Sequence, residues 1–99
     1  MPQLDRLLSH VIAKGASGLR LEADKKPRLD LKTGQGMDLL PTPLPALMVD
    51  VLAGEVVPED LKVAWQRDGR IEFDYDLGGQ GFRMQLSRPM NAPLLVALH

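Results

Sequence analysis

Apolar and charged residues alternate strictly along the segment from Arg70 to Leu77. Its apolar positions are Ile71, Phe73, Tyr75 and Leu77, and a charged residue stands before each of them. Because successive side chains of a strand point to opposite faces of a sheet, this pattern predicts a strand with one buried and one solvated face. The fold must therefore contain a sheet that the rest of the chain covers on one side.

The next segment predicts the partner of this strand. A glycine-rich turn, Gly78 to Gly81, leads into a second alternation from Phe82 to Leu86, and the two strands are expected to form a long antiparallel hairpin. A register that keeps both apolar rows on one face is required. We predict the pairs Leu77 with Phe82, Tyr75 with Met84, Phe73 with Leu86, and Asp76 with Arg83.

Two segments show helical spacing of apolar residues. The first helix is predicted over residues 3–14, and Gly15 stands where a left-handed residue ends it. The second is predicted to begin with Thr42 as cap and Pro43 at its first position, and to end at Gly54. Its predicted inner face consists of Leu44, Leu47, Met48, Val51 and Leu52.

The remaining segments predict shorter elements. A third helix follows Pro58, places Trp65 on its inner face, and ends at Asp68-Gly69. Alternating apolar residues predict two strands near residues 19–22 and 28–32. The sequence also predicts a short extended piece over 37–40 and a more buried last strand over 94–98.

Composition excludes several classes of function. Ninety-nine residues fit a single domain over 1–99, and 44% apolar and 25% charged residues are ordinary values for a globular protein. A net charge of −1 and only four aromatic residues argue against nucleic-acid binding. The absence of cysteine excludes disulfide and thiolate chemistry and fits a cytoplasmic location. The apolar runs are too short for membrane insertion.

No catalytic motif is recognisable, so we expect neither an enzyme nor a bound cofactor. The sequence has no Gly-Lys pair, which a phosphate-binding P-loop requires. Its two histidines, His10 and His99, are expected to be solvated, at a helix surface and at a frayed terminus, without metal-ligand spacing. Ser9 beside His10 lacks a third orienting group. The acidic residues Glu72, Asp74 and Asp76 form a row that is better explained by pairing with Arg83 than by a metal.

Three short motifs occur in a recognisable order. The first helix runs into Gly15-Ala16-Ser17, and the hairpin contains segments 71–76 and 81–85. Together they resemble the N-terminal domain of the PilT-type secretion ATPases, the motors of type IV pili and type II secretion. The family signature continues with Asp and His, where this chain has Gly18 and Arg20.

The resemblance implies a PAS-like α+β sandwich, with a mostly antiparallel sheet of about five strands and two to three helices packed on it. In family hexamers this domain packs on the ATPase domain of a neighbouring subunit, which implies a hexameric motor ATPase as partner. Arginines of the domain contact nucleotide there. Arg83 matches the family pattern, and Arg88 and Arg20 are further candidates for a surface facing the partner or the nucleotide.

The function implied is a non-catalytic interaction module that docks on or regulates a pilus or secretion ATPase, in processes such as twitching motility. One alternative is a PAS-like small-ligand sensor, although the predicted inner residues include no convergent polar group. Another is an excised N-terminal domain of a longer secretion ATPase. The sequence does not decide whether the domain self-associates, and a second copy of the chain is a further candidate partner.

Overall fold

A computed structural model describes residues 3–99, which form three helices and six strands. In chain order these are α1 (Leu4–Ala13), β1 (Gly18–Glu22), β2 (Arg28–Asp30), β3 (Gly36–Asp38), α2 (Ala46–Val56), α3 (Lys62–Asp68), β4 (Arg70–Leu77), β5 (Gln80–Ser87) and β6 (Leu94–Leu98). The predicted α+β class is confirmed. The sheet has six strands, one more than the expected number of about five, because β3 pairs with β2.

All strand pairs are antiparallel, and the spatial order is β3-β2-β1-β6-β5-β4. The last strand, β6, therefore lies in the middle of the sheet, between β1 and β5. Its residues Leu95 and Ala97 are completely buried, which confirms the predicted buried strand. Both neighbours of β6 satisfy its backbone hydrogen bonds, so it holds the two halves of the sheet together.

Helix α1 covers one face of the sheet with the residues that its periodicity predicts. Leu4, Leu8 and Val11 are completely buried, and Gly15 has the left-handed φ of 62° that was expected at the end of the helix. These side chains meet the inner residues of the strands in one apolar core. Leu19, Leu21, Leu29, Met84 and Leu95 are among its fully buried members from the sheet.

The predicted start and end of α2 were wrong, and of its predicted inner face only Leu52 is a buried residue of the helix. The helix begins at Ala46, after Pro45, because a residue that precedes proline is disfavoured in helical geometry. Leu44 instead exchanges backbone hydrogen bonds with Asp24 and Lys25. Gly54 costs the helix only about 1 kcal/mol and does not end it. The buried side chains are Val49, Leu52, Ala53 and Val56, whereas Leu47, Met48 and Val51 are exposed.

Helix α3 follows a 3₁₀ turn at Glu59–Leu61 and buries Trp65, as expected. It ends at Asp68, and Gly69 adopts the left-handed conformation after it. None of the helices within residues 3–99 is long and apolar enough to cross a membrane.

The β4–β5 hairpin is confirmed, but its predicted register was wrong by two residues. Gly78 and Gly79 alone form the turn, with φ values of 57° and 85°, so Leu77 pairs with Gln80. Two consecutive positive φ angles suit the tight turns that join twisted strands, and glycine adopts them without strain. A shift of two keeps the parity, so the apolar rows still share one face. The observed pairs are Tyr75 with Phe82, Phe73 with Met84, Ile71 with Leu86, and Asp74 with Arg83.

A buried polar contact fixes α1 against β4. The Tyr75 hydroxyl donates a hydrogen bond of 2.6 Å to Oδ1 of Asp5, which is only 6% exposed. Burial, followed by the hydrogen bond to the Asp5 carboxylate, raises the pKa of Tyr75 to about 12. This contact joins residues that are 70 positions apart in sequence.

Candidate interaction surface

The sheet has an open face opposite the helices. Along β6, Leu94 and Val96 are half-buried and Leu98 is 43% exposed, whereas the residues between them are fully buried on the other face. Charged residues occupy the corresponding positions of β1 and β4, and Arg83, Gln85 and Ser87 occupy those of β5. We call this surface the open sheet face; it consists of Leu94, Val96 and Leu98 with the outward residues of the neighbouring strands, Arg20, Glu22, Glu72, Asp74, Arg83 and Gln85.

The open sheet face has an apolar centre and a polar border. Val96 lies opposite Arg20 of β1 and Gln85 of β5, and Leu98 lies opposite Arg83. Apolar residues at the centre of a patch with charged residues around them are typical of surfaces that bind proteins. The sequence contains a signal for this arrangement, because residues 94–98 are apolar on both sides of the strand.

Arg83 stands on β5 and is bound by two acidic residues of β4. Its Nη1 lies 3.1 Å from Oδ1 of Asp74, and its Nη2 lies 3.0 Å from Oε2 of Glu72. These hydrogen bonds, first to Asp74 and then to Glu72, raise the pKa of Arg83. The predicted pairing of Arg83 with the acidic row is thus confirmed, although the opposite residue is Asp74 and not Asp76.

Arg20 stands on β1 within a smaller ionic cluster. Its Nη1 lies 3.4 Å from Oε1 of Glu22, while Nζ of Lys25 lies 2.9 Å from the other carboxylate oxygen. The hydrogen bond from Lys25 lowers the pKa of Glu22, against an opposing effect of burial. Arg20 therefore shares the Glu22 carboxylate with Lys25, and its positive charge at the surface is only partly neutralised.

Arg88 lies just beyond the end of β5, outside the regular strand. Its guanidinium carbon is 4.0 Å from the centre of the Trp65 ring, and its Nη2 is 3.4 Å from Oδ1 of Asp50 on α2. A cation over the face of tryptophan is attracted by the ring quadrupole, so Trp65 and Asp50 together fix this side chain. Arg88 links α2, α3 and the connection to β6.

The three arginines do not form one cluster. Arg20 and Arg88 line a common depression of about 520 Å³ on the open sheet face. Arg83 lines neither this depression nor a second one of about 850 Å³, whose walls include Arg20, Lys25 and Arg28. The structure thus brings together two of the three residues that the resemblance suggested, and their role in binding stays a prediction.

Of the other residues with chemically reactive side chains, His99 and Ser9 have structural partners. His10 is exposed, as expected, but His99 is not frayed: its ring stacks on Phe82 with 4.9 Å between centroids, and its backbone N–H donates to the Ser17 carbonyl. The Ser9 hydroxyl donates to the backbone carbonyl of Asp5. Within residues 3–99, no group of three or more His, Cys, Asp or Glu side chains is placed to hold a metal ion.

The three most exposed large apolar side chains of residues 3–99 were not predicted from the sequence. Met90 is 98% exposed, Leu47 is 76% exposed and Val63 is 69% exposed. Helical spacing predicts Leu47 in the core, and this prediction is wrong because α2 is apolar on nearly every side and a different face meets the sheet. No sequence signal predicted the position of Met90, which depends on the path of the β5–β6 connection.

The whole arrangement recurs in solved ATPase structures. The pilus retraction motor PilT, solved with bound ADP, matches 97% of this chain with a TM-score of 0.85 and 20% identity. The ATPase DotB of Legionella pneumophila matches 96% with a TM-score of 0.79 and 13% identity. DotB of Yersinia pseudotuberculosis matches 97% with a TM-score of 0.75 and 16% identity. The matched parts are 28%, 27% and 29% of those chains, respectively.

Comparisons of the sequence identify no relative, because no family model and no curated protein matches the chain. At these identities the structural likeness establishes the fold. It confirms, at that level, the resemblance first seen in the Gly15-Ala16-Ser17 segment and the hairpin. The chain has the fold of the N-terminal part of PilT-type and DotB ATPases, and it spans less than a third of the length of those proteins.

Proposed function

We propose that this domain is a non-catalytic module that docks on a motor ATPase of the pilus or secretion type through its open sheet face. The observation that carries the proposal is the fold match, which covers 97% of this chain but only 28% of PilT. Docking would place the domain in the cytoplasm beside the motor, as a regulator or an assembly subunit.

The chemistry of the open sheet face supports a protein partner. Leu94, Val96 and Leu98 offer apolar area at its centre, and burial of such area is the main source of association free energy. Arg83 already uses both terminal nitrogens to bind carboxylates. A nucleotide phosphate would have to displace those partners, whereas a protein surface with its own charges extends the existing network.

The sequence supports a non-catalytic role. A P-loop lysine and the hydroxyl residue after it hold the phosphates and magnesium in such ATPases, and this chain has no Gly-Lys pair. We expect the purified chain to show no ATP hydrolysis above background. Turnover that survives repurification and scales with protein concentration would refute this part of the proposal.

Binding to a purified PilT-type hexamer from the same cells tests the docking directly. Val96→Glu places a carboxylate at the centre of the open sheet face, opposite Arg20, and we expect this guanidinium to pair with it in the folded domain. We expect wild-type protein to bind and Val96→Glu to bind at least tenfold more weakly, because a charge is desolvated in the interface. Gln66→Glu adds the same charge on the exposed side of α3 and serves as the control.

The outcomes separate the candidate functions. Absence of binding by wild-type protein contradicts docking, and equal loss in both variants indicates a nonspecific charge effect rather than a defined surface. The small-ligand alternative would be favoured by a bound metabolite in one of the two depressions, both of which are open to solvent. The depression of about 850 Å³ is lined mainly by charged side chains, and the lining of the one of about 520 Å³ is about half apolar. If the chain is part of a longer ATPase, the open sheet face would contact the ATPase domain within that assembly.

A further inference from the structure

Strand β4 lies at one edge of the sheet, and its outer side is unpaired. Within residues 3–99, the strand order places β5 on one side of β4 and no strand on the other. All eight residues of β4, from Arg70 to Leu77, pair with β5 in one continuous register without a bulge or a proline. Native sheets usually shorten, bend or cover their edges, because a row of unpaired backbone N–H and C=O groups accepts a further strand. The edge of β4 is long and regular enough to bind one.

The hairpin turn determines which backbone groups face this edge. Gly78 and Gly79 form a two-residue turn, so Leu77 and Gln80 exchange hydrogen bonds as the flanking pair. Hydrogen-bonded and non-hydrogen-bonded pairs alternate along an antiparallel ladder, so every second residue of β4 before Leu77 also bonds to β5. The backbone N–H and C=O groups of the residues between them point to the edge; these residues are Arg70, Glu72, Asp74 and Asp76. In the part of the chain that the structure describes, none of these groups has a hydrogen-bonding partner.

The side chains beside these groups select the charge of an added strand. Glu72, Asp74 and Asp76 form an acidic row on the outward face of β4. Arg83 contacts Glu72 and Asp74 but balances only one charge, so the row stays net negative. The side chain of Asp74 is 86% exposed and accessible to a further cation. Because opposite charges on neighbouring strands stabilise a sheet, an added strand is favoured when basic residues occupy every second position.

We propose that β4 binds an extended segment of another protein, with lysine or arginine at every second position, as a seventh strand of the sheet. The unpaired backbone groups of β4 supply the hydrogen bonds, and the acidic row supplies the specificity. The residues between the basic ones lie on the other face, beside the half-buried side chains of Tyr75 and Leu77, and are therefore expected to be apolar. This site goes beyond the proposed docking, because binding of such a segment does not require a motor ATPase.

A second copy of this chain does not have the complementary charge. Within residues 3–99 the sheet has two edges, β3 and β4. Antiparallel registers that pair most of β4 with a second β4 set carboxylates opposite each other; a register centred on Asp74, for example, sets Glu72 opposite Asp76. Like charges directly opposite are destabilising. Strand β3 has only three residues and ends in Asp38, so it offers neither the length nor a basic residue. The segment is thus expected to come from a different protein.

Amide hydrogen exchange tests the added strand residue by residue. The probe is the capped peptide Thr-Lys-Val-Lys-Val-Lys-Thr, and we expect it to bind with a Kd below about 1 mM at low salt. The amides of Glu72, Asp74 and Asp76 should exchange fast in the free protein. At a peptide concentration of about ten times the Kd they should exchange about tenfold more slowly, because each is open only while the peptide is dissociated. The amides of Phe73 and Tyr75 bond to β5 and should be protected with and without peptide.

Two substitutions at one position separate the backbone contact from the charge. Asp74→Pro removes an N–H that points to the edge, at a position that proline tolerates in an edge strand, and should weaken peptide binding at least tenfold. Asp74→Asn removes only the charge and should weaken it about threefold. Asp60→Asn removes the same charge from the exposed turn before α3 and should bind like wild type. If circular dichroism shows that Asp74→Pro does not fold, Asp74→Asn and the exchange pattern of wild type still decide.

Four results would overturn the proposal. The first is no binding of the alternating peptide, and the second is binding without slower exchange of the three outward amides. The third is equal binding of the reordered peptide Lys-Lys-Lys-Val-Val-Thr-Thr or of the alternating peptide with glutamate in place of lysine. The fourth is slow exchange of the same amides in a dimer of the free protein, which would assign the edge to a second copy. Docking on the motor is measured separately with Val96→Glu, so none of these results decides it.

Discussion

The hydrogen bond between Tyr75 and Asp5 gives the sharpest test of what fixes α1 on the sheet. Tyr75→Phe removes one oxygen atom and leaves the ring in place against the core. Asp5 is only 6% exposed, and the Tyr75 hydroxyl is 2.6 Å from its Oδ1. The variant therefore leaves a largely buried carboxylate oxygen without the donor that it has in the native protein.

The expected loss follows from the charge of the acceptor. Hydrogen bonds to charged groups contribute about 1.5–3 kcal/mol, against about 0.5–1.5 kcal/mol for neutral pairs. We expect Tyr75→Phe to lower the free energy of unfolding by about 2 kcal/mol, a sizeable part of the roughly 5–15 kcal/mol typical of a domain. In an Asp5→Asn background the acceptor is neutral, so the same substitution should cost only about 1 kcal/mol.

Urea unfolding of the four proteins, at pH 7 and at alkaline pH, measures these terms. Tyr75 is the only tyrosine, so its phenolate absorbance reports its own titration. Its pKa is raised from 10.0 to about 12 in the folded state, so the associated stability is present below pH 10 and is lost as the pH rises from 10 to 12. The upper limit of that loss is about 2.7 kcal/mol, reduced by the solvent contact of the half-buried phenol.

Two results would refute this reasoning. The first is a Tyr75→Phe variant whose free energy of unfolding lies within about 0.3 kcal/mol of wild type at pH 7. The second is an identical decrease of stability between pH 10 and 12 in wild type and Tyr75→Phe, which would assign the alkaline loss to other groups. Either would mean that apolar packing alone positions α1.

The remaining predictions concern the core, the open sheet face and the hairpin turn. Leu8→Asp should unfold the domain, because the fully buried side chain becomes an unpaired carboxylate that costs several kcal/mol. Val51 on α2 is 45% exposed, so Val51→Asp should lower the free energy of unfolding by less than about 1 kcal/mol. Melting curves recorded by circular dichroism compare the two variants. Arg83→Ala should change stability by less than about 1 kcal/mol, since its ion pairs are exposed, yet weaken docking on the motor; equal losses of stability and binding would make Arg83 merely structural. Gly79→Ala should lower the free energy of unfolding by about 1 kcal/mol, because its φ of 85° is strained for alanine, and an unchanged urea midpoint would contradict the turn geometry.

Much of the fold could be predicted because local patterns and the final packing agree. Helix α1 has one apolar face and one polar face, so its buried apolar residues follow from spacing alone, whereas the burial of Asp5 depends on its contact with Tyr75. The alternation from Arg70 to Leu77 likewise fixes which side of β4 is buried. The antiparallel hairpin and the buried last strand also follow from simple rules of periodicity and turn chemistry.

The errors occur where the pattern allows more than one solution. Helix α2 is apolar on nearly every side, so the spacing of Leu44, Leu47 and Val51 could not show which face meets the sheet. Its start depended on Pro45 and on the pairing of Leu44 with a distant loop. The register of the hairpin depended on whether two or four residues form the turn, and both choices keep the apolar parity.

The candidate surface was predictable only in part. Arg83 and its acidic partners were found because polar and apolar residues alternate along both strands of the hairpin. The association of Arg20 with Arg88 required the strand order, which places β1 and β5 on either side of β6. The exposure of Met90 depends on two consecutive left-handed residues, and only one of them, Asn91, belongs to a residue type that favours this conformation.

The central position of β6 has a consequence for how the domain folds. Without this strand the sheet would divide into a three-stranded piece, β3-β2-β1, and a two-stranded hairpin, and a hairpin alone is at best marginally stable in water. The pairing of β1 with β6 joins residues that are far apart in sequence, so loop-closure entropy must be overcome before the contacts form. Folding should therefore be a single cooperative and comparatively slow transition. A synthetic peptide with the sequence of β6 should restore the sheet of a variant that lacks it.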